Sequence, residues 1–151
     1  MLNQIPIFNY EIESLRSNLG LMLKQDFIFE GSLIENITLG RKGIDQKDIS
    51  WAIKSLGLID HIASMPEGLD TELSPANVHL GHNVVQKIKL ARAIVNRPSI
   101  LLLDEPLEHL IPEETEIISK FLMAKNHNWT VIVVSDCPHL TPLADKIIHL
   151  K

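Results

Sequence analysis

Four consecutive aliphatic residues, 100–103, are followed at once by Asp104, Glu105 and Pro106. Because the run lacks alternation of polar and apolar side chains, it predicts a short strand that is buried on both faces of a sheet. Pro106 prevents the strand from continuing. Ionised carboxylates are costly at the end of such a strand unless something offsets them. The run therefore predicts an internal strand with a polar site at its carboxyl end.

Two interpretations of the paired acids remain open on these residues alone. In an open α/β sheet the carboxyl ends of the strands face the ligand crevice, which favours a site for Mg²⁺ and a nucleotide. Asp104 would then hold the metal ion and Glu105 would activate a water molecule. The alternative is a strand that ends in a solvated acidic turn. The flanking sequence has to separate the two.

Length and charge limit the class of protein. A chain of 151 residues predicts one domain with a substantial core, and a net charge of −5 argues against a basic surface for nucleic acid. No apolar run is long enough to span a bilayer, and no signal peptide is visible. The single cysteine, Cys137, fits a reducing compartment. We therefore expect a cytoplasmic protein, or the cytoplasmic part of a larger assembly.

Hydrophobic periodicity predicts an α/β sheet with a helical insertion. The predicted strands are a weak one at Ile5–Phe8 and others at residues 21–23, 100–103, 130–135 and 146–150. The predicted helices lie near residues 15–19, from the Ser32/Glu35 capping box to residue 37, at 49–56, 59–65 and 84–96, and from Pro112 onward. Residues 69–79 are predicted to form a loop. We expect residues 1–31 and 98–151 to form the sheet core and residues 32–97 a helical subdomain.

Several segments of the chain match the motifs of one known family. Gln25-Asp26 and the segment 29–40 resemble a Q-loop region, and residues 90–106 resemble a signature helix leading into a Walker B strand. Residues 130–135 and Ala144-Asp145 resemble the strand before a switch histidine and the segment after it. In this order, and over nearly the whole chain, the segments resemble the ATP-binding domain of an ABC transporter of the exporter type. The resemblance implies an incomplete P-loop NTPase sheet with an inserted helical subdomain, in one truncated domain over residues 1–151.

The resemblance also implies roles for individual residues. Asp104 would hold Mg²⁺, Glu105 would polarise the attacking water, and Gln25 would sense the metal ion and the γ-phosphate. In the family, each ATP lies between two such domains, so a second ABC ATPase domain and a transmembrane domain are the expected partners. Phe27 and Phe29 are expected to contact the transmembrane partner rather than the core.

Three departures from the family pattern affect the expected activity. The chain contains no G-x-x-x-x-G-K-[ST] loop, which in the family lies upstream of the Q-loop and would precede Met1. The signature, L-S-G-G-Q in the family, is replaced here by Leu80, Gly81, His82, Asn83 and Val84. Asp136 occupies the position of the switch histidine, and residues 108–111 replace the D-loop aspartate. An anion at position 136 would repel a γ-phosphate.

Two functional hypotheses follow from the resemblance and its departures. The chain is the ATP-binding component of an ABC exporter, inactive or very weak in isolation, or it is a degenerate, non-hydrolysing ABC domain that acts as a partner or regulatory module. We also expect the gap beside the strand at 130–135 to be filled by a rearranged edge, a swapped strand or a dimer, because the family's P-loop strand is internal there. Histidine-based metal sites are not expected, and Trp51 and Trp129 are predicted to serve packing.

Overall fold

The computed structural model describes residue 6, residues 11–74 and residues 79–149. The strands are β1 (Leu19–Met22), β2 (Gly31–Ser32), β3 (Glu72–Leu73), β4 (Ile100–Asp104) and β5 (Thr130–Val134). The helices are α1 (Ile12–Asn18), α2 (Leu33–Thr38), α3 (Gln46–Ser55), α4 (Ile59–Ala63), α5 (His82–Ile94) and α6 (Pro112–Leu122). Short 3₁₀ turns lie at Gly68–Asp70 and Thr141–Leu143.

A parallel sheet in the order β1-β4-β5 forms the centre of the fold. Its register aligns Leu21 with Leu102 and Leu102 with Ile132. The predicted internal strand is therefore confirmed as β4, between two parallel neighbours. Burial on both faces is only partly correct, because Leu101 and Leu103 are buried whereas Leu102 is half-exposed.

Helix α5 packs against β1 at very short range, and this contact requires a glycine. A Cβ atom added to Gly20 would meet the backbone oxygen of Ala93 and would lie 2.5 Å from Leu101 Cδ2 and 2.9 Å from Pro98 Cγ. The absence of a side chain at residue 20 thus lets the helix backbone approach the strand. Along α5, Ile88, Leu90, Ala91 and Ile94 are all buried and form much of the core.

The region between β1 and α5 is built from short helices and one small ribbon. Ser32 caps α2 as predicted, since its Oγ accepts a hydrogen bond from the Glu35 backbone N–H at 3.2 Å while Glu35 Oε2 accepts one from the Ser32 N–H at 2.9 Å. Helix α3 begins after Asp45, three residues before the predicted range 49–56, and the Asp45 side chain makes no capping bond. The assignment of residues 32–97 to a separate subdomain stays a prediction.

Aromatic side chains connect α3 to the segment before β5. The Trp51 ring lies 6.0 Å from the Trp129 ring and 5.8 Å from that of Phe121, measured between centroids. The Arg97 guanidinium lies 3.3 Å from the Trp51 centroid, a cation–π contact. Both tryptophans pack against the core cluster. These contacts agree with the predicted packing role of Trp51 and Trp129.

Three segments differ from the sequence predictions or fall outside the description. Residues 69–79 are not simply a loop, because β3 pairs antiparallel with β2 in register Gly31–Leu73 and Ser32–Glu72. The predicted last strand is wrong for residues 146–149, which have no strand pairing and leave Ile147 and Ile148 exposed. The weak strand predicted at Ile5–Phe8 lies outside the described residues except for Pro6, which is not in a strand.

Candidate functional site

The carboxyl end of β4 has an unusual backbone conformation that neighbouring elements hold in place. Glu105, the first residue after the strand, has a φ of +47°, in the left-handed region that a side chain rarely adopts. Its N–H donates to the Val134 carbonyl at 2.9 Å, and its own carbonyl accepts from Gln86 Nε2 at 2.7 Å. The conformation of Glu105 is therefore fixed from one side by β5 and from the other by α5.

The Glu105 side chain points to the start of the segment that follows β5. Its Oε2 accepts a hydrogen bond from Ser135 Oγ at 2.9 Å, and Ser135 Oγ in turn accepts from the Cys137 N–H at 3.1 Å. The hydroxyl uses one carboxylate oxygen and leaves the other for a water molecule or a ligand. Ser135 is a site residue that sequence reasoning missed, although it ends the β-branched run at 130–134.

The turn that carries Gln25 lies beside Asp104. The Lys24 N–H points to Asp104 Oδ2 at 3.4 Å, and Asp26 closes the turn by accepting from the Leu23 N–H at 2.8 Å. Gln25 is exposed at the tip of this turn, whereas Asp104 is half-buried. Parallel pairing of β1 with β4 thus places the Gln25 turn and Asp104 at one edge of the sheet.

The donor chemistry at this edge suits Mg²⁺. Asp104 offers carboxylate oxygens and Gln25 an amide oxygen, and Mg²⁺ commonly takes one or two carboxylates and keeps several waters. In the described part of the chain, no group of three or more His, Cys, Asp or Glu side chains is arranged to hold a metal ion. The residues present fit a metal ion that is held mainly through water and phosphate rather than one enclosed by protein.

A salt bridge borders the acidic pair. Lys24 Nζ lies 3.0 Å from Glu108 Oε1, and both side chains are substantially exposed. The hydrogen bond from Lys24 lowers the pKa of Glu108, and the same bond raises the pKa of Lys24. Glu108 follows the strand by four residues, in the segment where the family's D-loop would lie. Its carboxylate therefore adds a further negative charge, compensated by Lys24, near Asp104.

The segment at the signature position forms the beginning of α5. Gly81 is the N-cap residue, His82 and Asn83 begin the helix, and Leu80 is half-buried before it. Asn83 Oδ1 lies only 2.8 Å from where a Cβ on Gly81 would stand. The exposed His82 ring lies 5.3 Å from the exposed His109 ring. Side chains therefore occupy the space around a helix N-terminus where the family pattern has serine and glycines.

Asp136 lies on the exposed segment immediately after Ser135. It follows β5 by two residues, so the parallel sheet places it at the same edge as Asp104 and Glu105. The structure therefore brings the predicted residues 25, 104, 105 and 136 to one edge of the sheet. Their individual roles stay predictions.

A row of buried polar side chains on α5 was not predicted from the sequence. Gln86, Lys89 and Arg92 recur every three residues on α5, whose buried residues are otherwise apolar except for Lys87. Each donates a hydrogen bond to a backbone carbonyl of another segment: Gln86 to Glu105, Lys89 to Lys24, and Arg92 to Asn36 and Phe27. The spacing of three was a usable signal, because it places the three side chains along one side of the helix.

Arg92 connects α5 to the segment between the Gln25 turn and α2. Its Nε donates to the Asn36 carbonyl at 2.8 Å, its Nη1 donates to the Phe27 carbonyl at 3.2 Å, and its guanidinium lies 5.6 Å from the Phe29 centroid. Phe29 is half-buried, whereas the Phe27 side chain is 72% exposed. Of the two aromatic residues expected to contact a partner, only Phe27 presents most of its ring outward.

The fold and the acidic strand end define an α/β domain of the P-loop NTPase class. A family model described as "ABC transporter" matches residues 1–108. The chain is 34% identical over 144 residues, or 95% of its length, to an uncharacterized ABC transporter ATP-binding protein of Bacillus subtilis, YwjA, and covers 25% of it. It is 31% identical over 150 residues, or 99% of its length, to multidrug resistance protein homolog 65 of Drosophila melanogaster, and covers 12% of that protein.

A solved structure supports the same assignment. The chain aligns with a bacterial Atm1-family ABC exporter with ATP bound at a TM-score of 0.70 and 30% identity, covering 80% of this chain and 21% of that one. The chain belongs to the ABC transporter family. The predicted fold class and the resemblance to exporter-type ATP-binding domains are thereby confirmed. The chain spans a quarter or less of the length of these relatives.

Among the described residues, no helix is both long and apolar enough to cross a membrane. The relatives that the chain matches include a protein named for multidrug resistance and a solved ABC exporter.

Proposed function

We propose that this chain is part of the ATP-binding component of an exporter-type ABC transporter, which couples ATP hydrolysis to transport across a membrane. The observation that carries the proposal is the edge of the sheet where Asp104 ends β4 and Glu105 follows it, beside the turn that holds Gln25. Membership of the ABC transporter family supports the same function and implies ATP as the ligand.

Each acidic residue has a separate role in this proposal. Asp104, together with Gln25, would hold Mg²⁺. Glu105 accepts a proton from, or orients, the attacking water with the carboxylate oxygen that Ser135 leaves free. The bound metal ion would neutralise developing charge on the phosphates. The backbone bonds to Gln86 and Val134 keep Glu105 in its left-handed conformation, so that its carboxylate is held in place before ATP arrives.

The expected partners and location also belong to this proposal. The exposed Phe27 ring, on a segment anchored by Arg92, provides an apolar contact for a transmembrane domain. The signature position at the start of α5 would face ATP bound to a second ABC ATPase domain. The whole assembly would place this chain at the cytoplasmic face of a membrane.

A second function is favoured by the side chains at the phosphate-facing positions. His82 and Asn83 replace glycines of the family signature, and Asp136 places an anion where the family has a histidine. These residues disfavour a close approach of phosphate, because bare backbone and a neutral or positive donor have been lost. The alternative is therefore a non-hydrolysing ABC domain that regulates or completes a partner.

Titration of labelled ATP separates the two functions. The 151-residue chain alone is expected to show negligible turnover. The reading frame upstream of it should be sequenced to see whether it encodes a G-x-x-x-x-G-K-[ST] loop. If it does, the upstream segment and this chain should be expressed as one longer polypeptide. Hydrolysis by that longer polypeptide that is abolished by Glu105→Gln, with ATP binding retained, would support the ATPase. Glu113→Gln on the exposed first turn of α6 is the matched control and should leave turnover unchanged.

Lack of Mg²⁺-dependent binding and turnover in the longer polypeptide would instead support the regulatory module. Micromolar, Mg²⁺-dependent binding with Glu105-dependent turnover by the 151-residue chain itself would contradict the expected inactivity in isolation.

A further inference from the structure

Lys89 is a buried cation whose role the proposed function does not yet use. Its side chain is 6% exposed in the middle of α5, and its Nζ donates to the Lys24 carbonyl at 3.1 Å. Gln86 Oε1 lies at 3.5 Å from the same Nζ. An ammonium is costly to remove from water unless it is hydrogen-bonded, so a lysine at this position needs a specific partner. The partner that the structure provides is the carbonyl directly before Gln25.

The surroundings of Lys89 distinguish it from a salt-bridged lysine. Among the described residues, its ammonium has no carboxylate within 4.0 Å, whereas Lys87 on the same helix pairs with Glu114 at 2.7 Å. Burial lowers the pKa of Lys89, and the charged groups that act on it are Asp26, Glu108, Arg92 and Asp104. The acids favour the ammonium form from a distance, while its direct hydrogen bonds go to neutral oxygens.

The acceptor of the Lys89 hydrogen bond lies in the turn that carries Gln25. The Lys24 carbonyl is joined by one peptide bond to Gln25, and the Lys24 N–H faces Asp104. The turn is held at its other end by Arg92, which donates to the Phe27 carbonyl. Two buried cations of α5, Lys89 and Arg92, therefore donate hydrogen bonds to the backbone on both sides of Gln25. The same helix holds the Glu105 carbonyl through Gln86.

We propose that Lys89 is a positioning residue that fixes the Lys24 carbonyl and thereby holds the Gln25 turn in register with Asp104 and Glu105. Together with Gln86, it makes α5 a rigid connection between the signature position and the acidic edge of the sheet. The importance of the Gln25 turn for ATP rests on the proposed function. The position of the Gln25 turn, by contrast, is a property of this chain and can be measured without nucleotide.

Native-state amide hydrogen exchange on the full chain tests the contact. Lys89→Met keeps an unbranched side chain of similar reach but removes the ammonium, and the amides of Lys24 and Asp26 should then exchange on the order of tenfold faster, the loss expected for one hydrogen bond to a charged donor. Lys87→Met is the matched control, because it removes a buried ammonium from the same helix that bonds to Glu114 instead. In this control, the exchange rates of the Lys24 and Asp26 amides, corrected for any change in global stability, should equal those of the wild type.

A second measurement uses the wild-type chain and does not depend on a variant that folds. Carbon-detected NMR correlates the Lys24 carbonyl with the Gln25 nitrogen, and both shifts should titrate with the same midpoint as the Lys89 ε-carbon. That midpoint should lie at a lower pH than the midpoint of the Lys24 ε-carbon, because burial lowers the pKa of Lys89 whereas the hydrogen bond to Glu108 raises the pKa of Lys24. Equal acceleration of the turn in both methionine variants, or a Lys24–Gln25 signal that does not follow Lys89, would overturn the proposal. Since neither measurement involves ATP, a failure here is separate from a failure of the proposed ATPase function.

Discussion

Replacing Gly20 with alanine tests the close contact between α5 and β1. The added Cβ would meet the Ala93 backbone oxygen and lie within 2.9 Å of Leu101 and Pro98. Because the first of these atoms belongs to the backbone of a buried helix, it cannot move aside by a change of rotamer. Overpacking in a core costs roughly 1–3 kcal/mol and occasionally more, and a backbone obstacle favours the upper end. We therefore expect Gly20→Ala to lower the free energy of unfolding by about 3 kcal/mol.

Denaturant unfolding followed by circular dichroism measures this loss, which corresponds to about 6–12 °C in the melting temperature for a chain of this size. Gly57→Ala is the matched control: Gly57 has a φ of +64° with nothing within 4 Å of an added Cβ. It should cost about 1–2 kcal/mol from backbone conformation alone. If Gly20→Ala were no more damaging than Gly57→Ala, the close approach of helix and strand would not be a tight constraint, and the reasoning would fail.

Three further changes test local contacts by equilibrium unfolding. Ser32→Ala removes the α2 cap and should lower the free energy of unfolding by about 0.5–2 kcal/mol. Lys87→Met should cost about 1.5–3 kcal/mol at pH 7. Burial raises the pKa of Glu114, but the bond from Lys87 outweighs this effect and keeps that pKa below its usual range in the folded protein. The stability difference between the wild type and Lys87→Met should therefore disappear as the pH falls from about 4.3, the pKa of an unfolded glutamate, through the lower pKa of Glu114 in the folded protein. Burial lowers the pKa of His127, so the wild type should lose stability as the pH falls below about 6.5, and His127→Phe should remove that loss; an identical pH profile in both proteins would contradict it.

Local patterns predicted the elements whose signals are contained within one segment. The apolar run before Asp104 predicted β4, the Ser32/Glu35 pair predicted the start of α2, and Pro112 predicted the start of α6. In each case the physical cause lies within a few residues: a capping side chain, a missing N–H, or an uninterrupted apolar run. The resemblance to a known family then supplied the order in which these elements assemble.

Contacts between distant segments were not visible in the same patterns. The ribbon of β2 and β3 has two residues in each strand, too few to show a period of two. Lys89 and Arg92 are charged, and charged residues on a helix are usually assigned to its solvent face, although both are buried here. Conversely, residues 146–150 suggested a last strand, but residues 146–149 have no partner strand in the described fold, and Ile147 and Ile148 are exposed. Burial at these positions depends on tertiary neighbours rather than on local sequence.

The exposed side of β5 has a consequence for any preparation of this chain. Within the described sheet β5 pairs only with β4, and Ile132 and Val134 each expose more than half of their side chains, at 56% and 55%. An unpaired row of peptide groups flanked by β-branched apolar residues is a template on which a further strand can hydrogen-bond. At high concentration and without a bound partner, copies of this chain should therefore associate through the free edges of their β5 strands. A short lysine-flanked peptide of β-forming sequence should compete with that self-association.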